Sequence, residues 1–414
     1  MPNNLPLNWC ECKFEDVLDY EQPTRYIVSN TDYQEQGIAV LTAGKSFILG
    51  YTDEKDGIFD ASKETVIIFD DFTTASKLVD FPFKVKSSAM KILHAKKDIN
   101  INFLYYLMQT IHYESDTHKR YWISEYAKQT LNLPPLAEQE RIVEKIEELF
   151  SDIDNGIKDL KTAQAQIKQY RQSVLKSAFE GKLYKTSEWK EVKLEDVCQI
   201  NPKTEIKDMK DDDIVSFLPM TSVKAECNYY TEENVLYSKV KKGYTKFKNG
   251  DVLFAKITPC MENGKVCIVD NLIQDIGFGS TEFHILRCLN NIIPKYVYYV
   301  VIQQCFRKKA KKNMVGAVGQ QRVPADFMKN FDILLPSLLE QQQIVAEIEK
   351  RFLVADELEK AVNDGLEKAD KLKQSILKKA FEGKLVPQDP NDEPASALLD
   401  RIKKEQKPTK GKKK

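Results

Sequence analysis

The sequence predicts an α+β protein in which two mixed α/β units are joined by two long antiparallel helices, paired as a coiled coil with pseudo-two-fold symmetry. Three observations carry this expectation. Residues 133–183 return at 335–385 with a constant offset of 202 and no gap, and 22 of the 51 aligned positions are identical. Upstream, Trp9, Glu11, Lys13, Glu15, Asp16 and Val17 match Trp189, Glu191, Lys193, Glu195, Asp196 and Val197 at an offset of 180. Between them, Tyr105-Tyr106 matches Tyr298-Tyr299 at 193. The offset grows along the chain, so one frame is used twice with different contents between its fixed points. This divides the chain into a first unit (1–132), a first long helix (133–183), a second unit (184–334), a second long helix (335–385) and a C-terminal return segment (386–414).

In the first unit, residues 38–42, 65–69, 81–85 and 90–93 are short apolar or alternating runs bounded by Gly, Asp or Lys, which favours strands, and 102–112 has a helical pattern. The string Ala43-Gly44-Lys45-Ser46, followed downstream by Asp70-Asp71 at the end of an apolar run, fits a relaxed phosphate-loop pattern. A phosphate loop needs a helix directly after Ser46 to aim its amides at phosphate. Phe47 to Gly57 has two glycines and reads as a hairpin, which argues against ATP binding.

The first long helix follows from apolar residues in alternating steps of four and three: Ile142, Ile146, Leu149, Ile153, Gly156, Leu160, Ala163, Ile167, Tyr170 and Val174. That spacing is a heptad seam. Strands are expected in the second unit at 214–218, 252–257, 266–269 and 282–286, with a helix at 295–311. The second long helix repeats the seam as Ile344, Ile348, Arg351, Ala355, Leu358, Val362, Gly365, Ala369, Leu372 and Ile376, between Pro336 and Gly383. Because each helix exposes an apolar stripe and the chain must run back after the second unit, the two helices are expected to pair antiparallel. Residues 395–402 should then return near the first unit, and the lysine-rich tail beyond should be disordered.

Composition narrows the function. The 62 basic and 62 acidic residues cancel, but Arg307 to Lys312 and the tail are locally basic, and a DNA binder needs only one basic face. Eight cysteines without a C-x-x-C and four scattered histidines give no zinc-ligand spacing. With no signal-like start and no apolar run long enough to span a bilayer, a soluble cytoplasmic protein without a membrane partner is expected. The loop grip of a DNA amino-methyltransferase is missing, since Asn132-Leu133-Pro134-Pro135-Leu136 ends in leucine, and no nuclease carboxylate cluster stands out. The chain is expected to be non-catalytic, binding neither metal nor cofactor itself.

Recognition chemistry remains. Candidate DNA-binding residues are Lys119, Arg120 and Tyr121 in the first unit. In the second they are Lys256, Thr258, Lys265, Ser280, Thr281, Lys308, Lys309, Lys311, Lys312, Gln320, Gln321 and Arg322. Arginine pairs bidentately with guanine and glutamine with adenine, whereas lysines suit phosphates.

The two strings Leu133 to Val143 and Leu335 to Val345, with Ala380-Phe381-Glu382-Gly383-Lys384-Leu385 closing the second helix, resemble the specificity subunit of type I restriction–modification systems. Gly250 to Leu253, Gly279 to Phe283 and Gly319 to Val323 are also similar to segments of its recognition domains. The resemblance implies that each unit is a target-recognition domain reading half of a bipartite, asymmetric double-stranded DNA site, with the helices fixing an unread spacer. It further implies two modification subunits bringing S-adenosylmethionine, and restriction subunits bringing ATP and Mg for motor and nuclease activity. The alternative is a stand-alone two-headed DNA-binding regulator.

Overall fold

The computed structural model describes residues 5–42, 47–111, 120–184, 188–206 and 208–405. The chain forms two compact units, one of residues 1–160 with 364–414, the other of residues 161–363. Both long helices, Leu136–Phe179 and Leu338–Phe381, are divided between the units.

The first unit contains β1 (Cys10–Lys13), β2 (Leu18–Glu21), β3 (Ile38–Leu41), β4 (Ile48–Thr52), β5 (Phe59–Asp60), β6 (Val66–Asp70), β7 (Ser76–Val79), β8 (Pro82–Val85), β9 (Met90–Ala95) and β10 (Thr130–Leu133). They make three sheets: β1-β10, β2-β9-β6-β7 and β4-β3-β8-β5. The second unit contains β11 (Lys190–Lys193), β12 (Cys198–Ile200), β13 (Ile214–Leu218), β14 (Glu233–Leu236), β15 (Thr245–Lys248), β16 (Val252–Ala255), β17 (Val266–Ile268), β18 (Ile276–Gly279), β19 (Phe283–Cys288) and β20 (Asp332–Leu335). Its sheets are β11-β20, β12-β19-β16-β17 and β14-β13-β18-β15. Strand for strand the order is the same, down to a parallel strand pairing in each unit, β3 with β8 and β13 with β18.

Period-two alternation explains the layering. In β6, Ile67 and Phe69 face the helices while Val66 and Ile68 face the neighbouring sheet, so all five residues of β6 are buried. In β16, Val252 and Phe254 face the helices, and Leu253 and Ala255 the other sheet.

The three repeated sequence anchors meet where head and helix join. Trp9 Nε1 donates to Glu138 Oε2 at 2.9 Å, and Trp189 Nε1 to Glu340 Oε1 at 3.4 Å. Gln139 accepts from Asn100 N at 3.0 Å and donates to the Pro134 carbonyl at 2.9 Å; Gln341 accepts from Ile293 N at 3.0 Å and donates to the Pro336 and Asn291 carbonyls at 3.2 Å. Tyr106 meets Phe150 edge-on, and Tyr299 meets Phe352 likewise, each with ring centroids 5.8 Å apart. The repeated Glu-Gln pair therefore clamps each helix to its head with buried and part-buried hydrogen bonds, of which the buried ones cost most when left unmade.

Within each unit the helices run antiparallel. In the first, Asp154 pairs with Lys373 at 2.6 Å and Leu160 lies against Gly365. In the second, Gln164 donates to Asn363 at 3.2 Å and Arg171 pairs with Asp356 and Glu359. The seam, however, departs from the heptad expectation. Ile142, Ile146, Ile167, Val174, Ile344, Ile348, Ala355, Val362 and Ile376 are buried, and Leu149, Ile153 and Leu160 are half-buried. Leu358 and Leu372 are 52% and 51% exposed, Tyr170 is 41% exposed, and Gly156 is exposed too. Their places are taken one residue later by Ile157, Arg171, Glu359 and Lys373, all half-buried. A straight α-helix drifts about 20° per heptad, so the buried stripe follows the helix's own period of 3.6 rather than 3.5. Arg171 and Lys373 fill the resulting places by lying over Phe352 and Phe150, with 5.1 and 4.9 Å to the ring centroids.

Two further expectations are revised. The helix expected at 295–311 is two helices, Pro294–Ile302 and Gln304–Lys312, broken where Gln303 adopts ψ 139. After the Ala43–Ser46 string, which itself lies outside the described residues, comes strand β4 paired antiparallel with β3, not a helix. Asp70 and Asp71 are likewise structural. Asp70 accepts from Phe72 N and Thr73 N, and Asp71 forms a fully buried ion pair with Lys91 at 3.0 Å. At the C-terminal end, helix Ala395–Glu405 buries Leu398, Leu399 and Ile402 in the first unit's core, with Arg141 paired to Asp392.

Candidate nucleic-acid interface

The most chemically concentrated surface of the second unit lies at the end of its central strand. Lys256 directly follows β16, its N–H donating to the Glu282 carbonyl at 2.9 Å and its carbonyl accepting from Val323 N at 2.9 Å. Glu282 stands just before β19 and holds Arg322 through two bonds, Nε to Oε2 and Nη2 to Oε1, both 2.8 Å. The Arg322 guanidinium holds the Glu282 carboxyl below the usual carboxylate range, and burial draws the Lys256 ammonium down. Beneath them His284 is buried. Its Nε2 donates to the Val323 carbonyl at 2.8 Å, its Nδ1 accepts from Asn201 Nδ2 at 2.9 Å, and burial lowers its pKa.

Beside this cluster is an open cleft of about 530 Å³, lined among others by Asn201, Lys203, Tyr244, Lys246, Lys256 and Thr281. Its basic wall, formed by Lys203, Lys246 and Lys256, suits a phosphate backbone. A loop closed by the Val315–Arg322 bridge lies next to it in sequence; Gly316 and Gly319 adopt positive φ, and Val318 at its tip is 99% exposed.

The residues singled out from sequence separate accordingly. Lys256 and Thr281 line the cleft, and Gln320 is exposed on the loop. Gln321 and Thr258 are tied together, Thr258 N donating to the Gln321 carbonyl at 3.0 Å and Gln321 N to Thr258 Oγ1 at 3.2 Å. Ser280 caps the turn by accepting from Glu282 N at 3.2 Å. Lys265 is spent internally, its Nζ donating to the Met220 carbonyl at 2.9 Å. Lys308, Lys309, Lys311 and Lys312 are exposed on a separate helix. Of these, Lys309 lies over Phe331, Lys311 pairs with Glu262 at 2.7 Å, and Lys308 lines a second cleft with Lys176 and Gln172. In the first unit Arg120 is exposed and Lys119 lies outside the described residues. Tyr121 is a correction: it is 5% exposed, packed inward as its N–H donates to the Asp71 carbonyl at 2.9 Å. Lys203, Tyr244 and Lys246 were not singled out in sequence, because isolated polar residues outside any repeated string carry no pattern.

A doubled recognition frame with unlike polar surfaces, clamped to paired helices, defines the class. The family model for the type I restriction modification DNA specificity domain matches residues 6–162 and again 186–368. The chain belongs to that family. It is 32% identical over 391 residues to the type I restriction enzyme EcoR124I/EcoR124II specificity subunit of Escherichia coli, covering 87% of this chain and 89% of that one. It is also 35% identical over 260 residues to the EcoAI specificity subunit of Escherichia coli, but there the match spans only 52% of this chain and 44% of the relative. A chain from a structural study of complex assembly and conformational transition in the type I R-M system superposes with a TM-score of 0.68 over 93% of this chain and 100% of that one, at 20% identity.

Proposed function

We propose that this chain is the DNA-specificity subunit of a type I restriction–modification complex, each unit reading one half of a bipartite, asymmetric site in double-stranded DNA. The observation that carries it is the reuse of one strand order with different side chains at corresponding places. Where the second unit has Lys256 and His284, the first has Asp71 and Lys91, at the same registers of β16 with β19 and β6 with β9. A frame held constant while the side chains at its corresponding places change is what two different half-sites require.

The long helices fix the distance between the halves and carry the docking surface for two modification subunits. Leu353, Val354 and Leu358, which are 63%, 53% and 52% exposed, supply apolar area for that contact. In this reading the modification subunits bring S-adenosylmethionine and methylate adenine, while restriction subunits bring ATP and Mg and cut unmethylated DNA. This chain supplies address and scaffold. The test is replacement of residues 1–132 by the corresponding domain of another family member, in a complex with the modification subunits. One half of the methylated motif should change and the other stay; an unchanged motif would overturn the assignment.

A further inference from the structure

We propose that Arg120 and Arg322 are the corresponding base-reading residues of the two units, and that Glu282 is a positioning residue that presents Arg322 to guanine. This rests on the DNA-reading function above and assigns it to particular atoms.

Backbone hydrogen bonds establish the correspondence. Lys256 N donates to the Glu282 carbonyl and Val323 N to the Lys256 carbonyl, both at 2.9 Å. In the first unit Asp71 N donates to the Ala89 carbonyl at 3.0 Å and Tyr121 N to the Asp71 carbonyl at 2.9 Å. Lys256 and Asp71 each follow the last residue of the central strand, β16 or β6. The residue before Val323 and the residue before Tyr121 are thus held at the same point of the frame. Both are arginine, at the same offset of 202 that relates the long helices.

Donor accounting then gives Arg322 its direction. Of the five N–H groups of a guanidinium, Glu282 takes one on Nε and one on Nη2, and the Gln320 carbonyl takes one on Nη1 at 3.1 Å. One N–H remains on each terminal nitrogen, a two-donor set matching the O6 and N7 acceptors of guanine in the major groove. The side chain is 43% exposed, so that end is reachable. Two cations, Lys256 and Arg322, against one carboxylate leave the cluster net positive, as an acceptor edge and its flanking phosphates require.

Among its described residues the first unit lacks this brace. Ala89 stands where Glu282 stands, and among the described residues no carboxylate is paired with Arg120. Arg120 therefore holds its fork less firmly, and the guanine it reads is discriminated less sharply than the one read by Arg322.

The experiment maps methyladenine genome-wide for the complex of the full chain with its modification subunits. Arg322→Ala and Arg322→Lys should each relax one guanine position in one half-site, lowering discrimination there by roughly 5- to 150-fold. Glu282→Gln should relax that same position, Arg120→Ala a position in the other half, and Ala89→Glu should sharpen the latter. Arg322→Lys keeps the charge without the fork, so a folded Arg322→Lys complex that retains the motif unchanged would overturn the proposal. Uniform loss across all sites with the motif intact would also overturn it, assigning these arginines to phosphate. A wild-type complex without a split motif would instead bring down the DNA-reading function itself.

Discussion

The clamp between helix and head gives a sharp contrast at two glutamines one residue apart from being neighbours. Gln341 is 1% exposed and makes three side-chain hydrogen bonds, accepting from Ile293 N and donating to the Pro336 and Asn291 carbonyls. Replacing it with leucine keeps the volume but orphans the part-buried Ile293 N–H, at about 1–3 kcal/mol, and leaves two carbonyls each short of a donor. Burial of the leucine methyls returns roughly 1 kcal/mol. Gln341→Leu should therefore destabilise the second unit by about 2–4 kcal/mol. Gln343 differs: among the described residues its buried Oε1 has no partner. Gln343→Leu removes an unsatisfied atom and should be neutral or stabilising by up to about 1 kcal/mol. Urea unfolding with peptide-resolved hydrogen exchange separates the second unit from the first, which matters because a two-unit chain need not unfold in one step. A Gln341→Leu variant within about 1 kcal/mol of wild type, or a Gln343→Leu variant equally damaged, would refute the clamp.

Other consequences follow from the same structure. Burial lowers the His284 pKa, so the unfolded chain binds the proton at about pH 6.5 while the folded one resists it. The associated stability is full above about pH 6.5 and is lost as pH falls toward the folded value; His284→Gln should flatten the stability curve between pH 7 and 5, and an unaltered slope would refute this. Lys91→Met leaves Asp71 buried and unpaired and should cost about 3–5 kcal/mol, most of it recovered on adding Asp71→Asn; calorimetry of the single and double variants decides. On the helices, Leu358→Ser should change stability by less than about 0.5 kcal/mol yet weaken binding of the modification subunit in titration. Ile348→Ser, at a position 0% exposed, should cost about 2–5 kcal/mol.

What the sequence disclosed depended on how local the physics is. The two long helices were legible because i-to-i+4 periodicity and their flanking breakers lie within one continuous stretch. Whether the stripe ran through Gly156 or Ile157, and through Tyr170 or Arg171, was not, since both choices are plausible residues for a seam and only three-dimensional drift separates them. The small sheets β1-β10 and β11-β20 were missed for a different reason. Cys10–Lys13 and Lys190–Lys193 are short and polar, and each pairs with a strand more than a hundred residues away. Gln303 escaped notice because its extended backbone is supported by an outside partner, Gln172, whose Oε1 accepts from Gln304 N at 2.8 Å. At the site, Arg322 stood out but its tether to Glu282 did not, because forty residues separate them. The match of Arg120 to Arg322 was legible, with Lys119-Arg120 standing in for the Gly-Gln-Gln-Arg string that the first unit lacks. Carrying the constant offset of 202 upstream from Leu133 lands on it, although the surrounding residues differ too much to signal the repeat.

Two unlike recognition surfaces acting on one DNA molecule are the core of this function. Its most direct test is genome-wide methyladenine mapping in cells that hold the wild-type chain with its modification subunits and no other specificity subunit. The expected result is one motif of two unlike short blocks separated by a run of unread bases, absent when the chain is withheld. A continuous motif, two identical blocks, or the same methylation without this chain would contradict it.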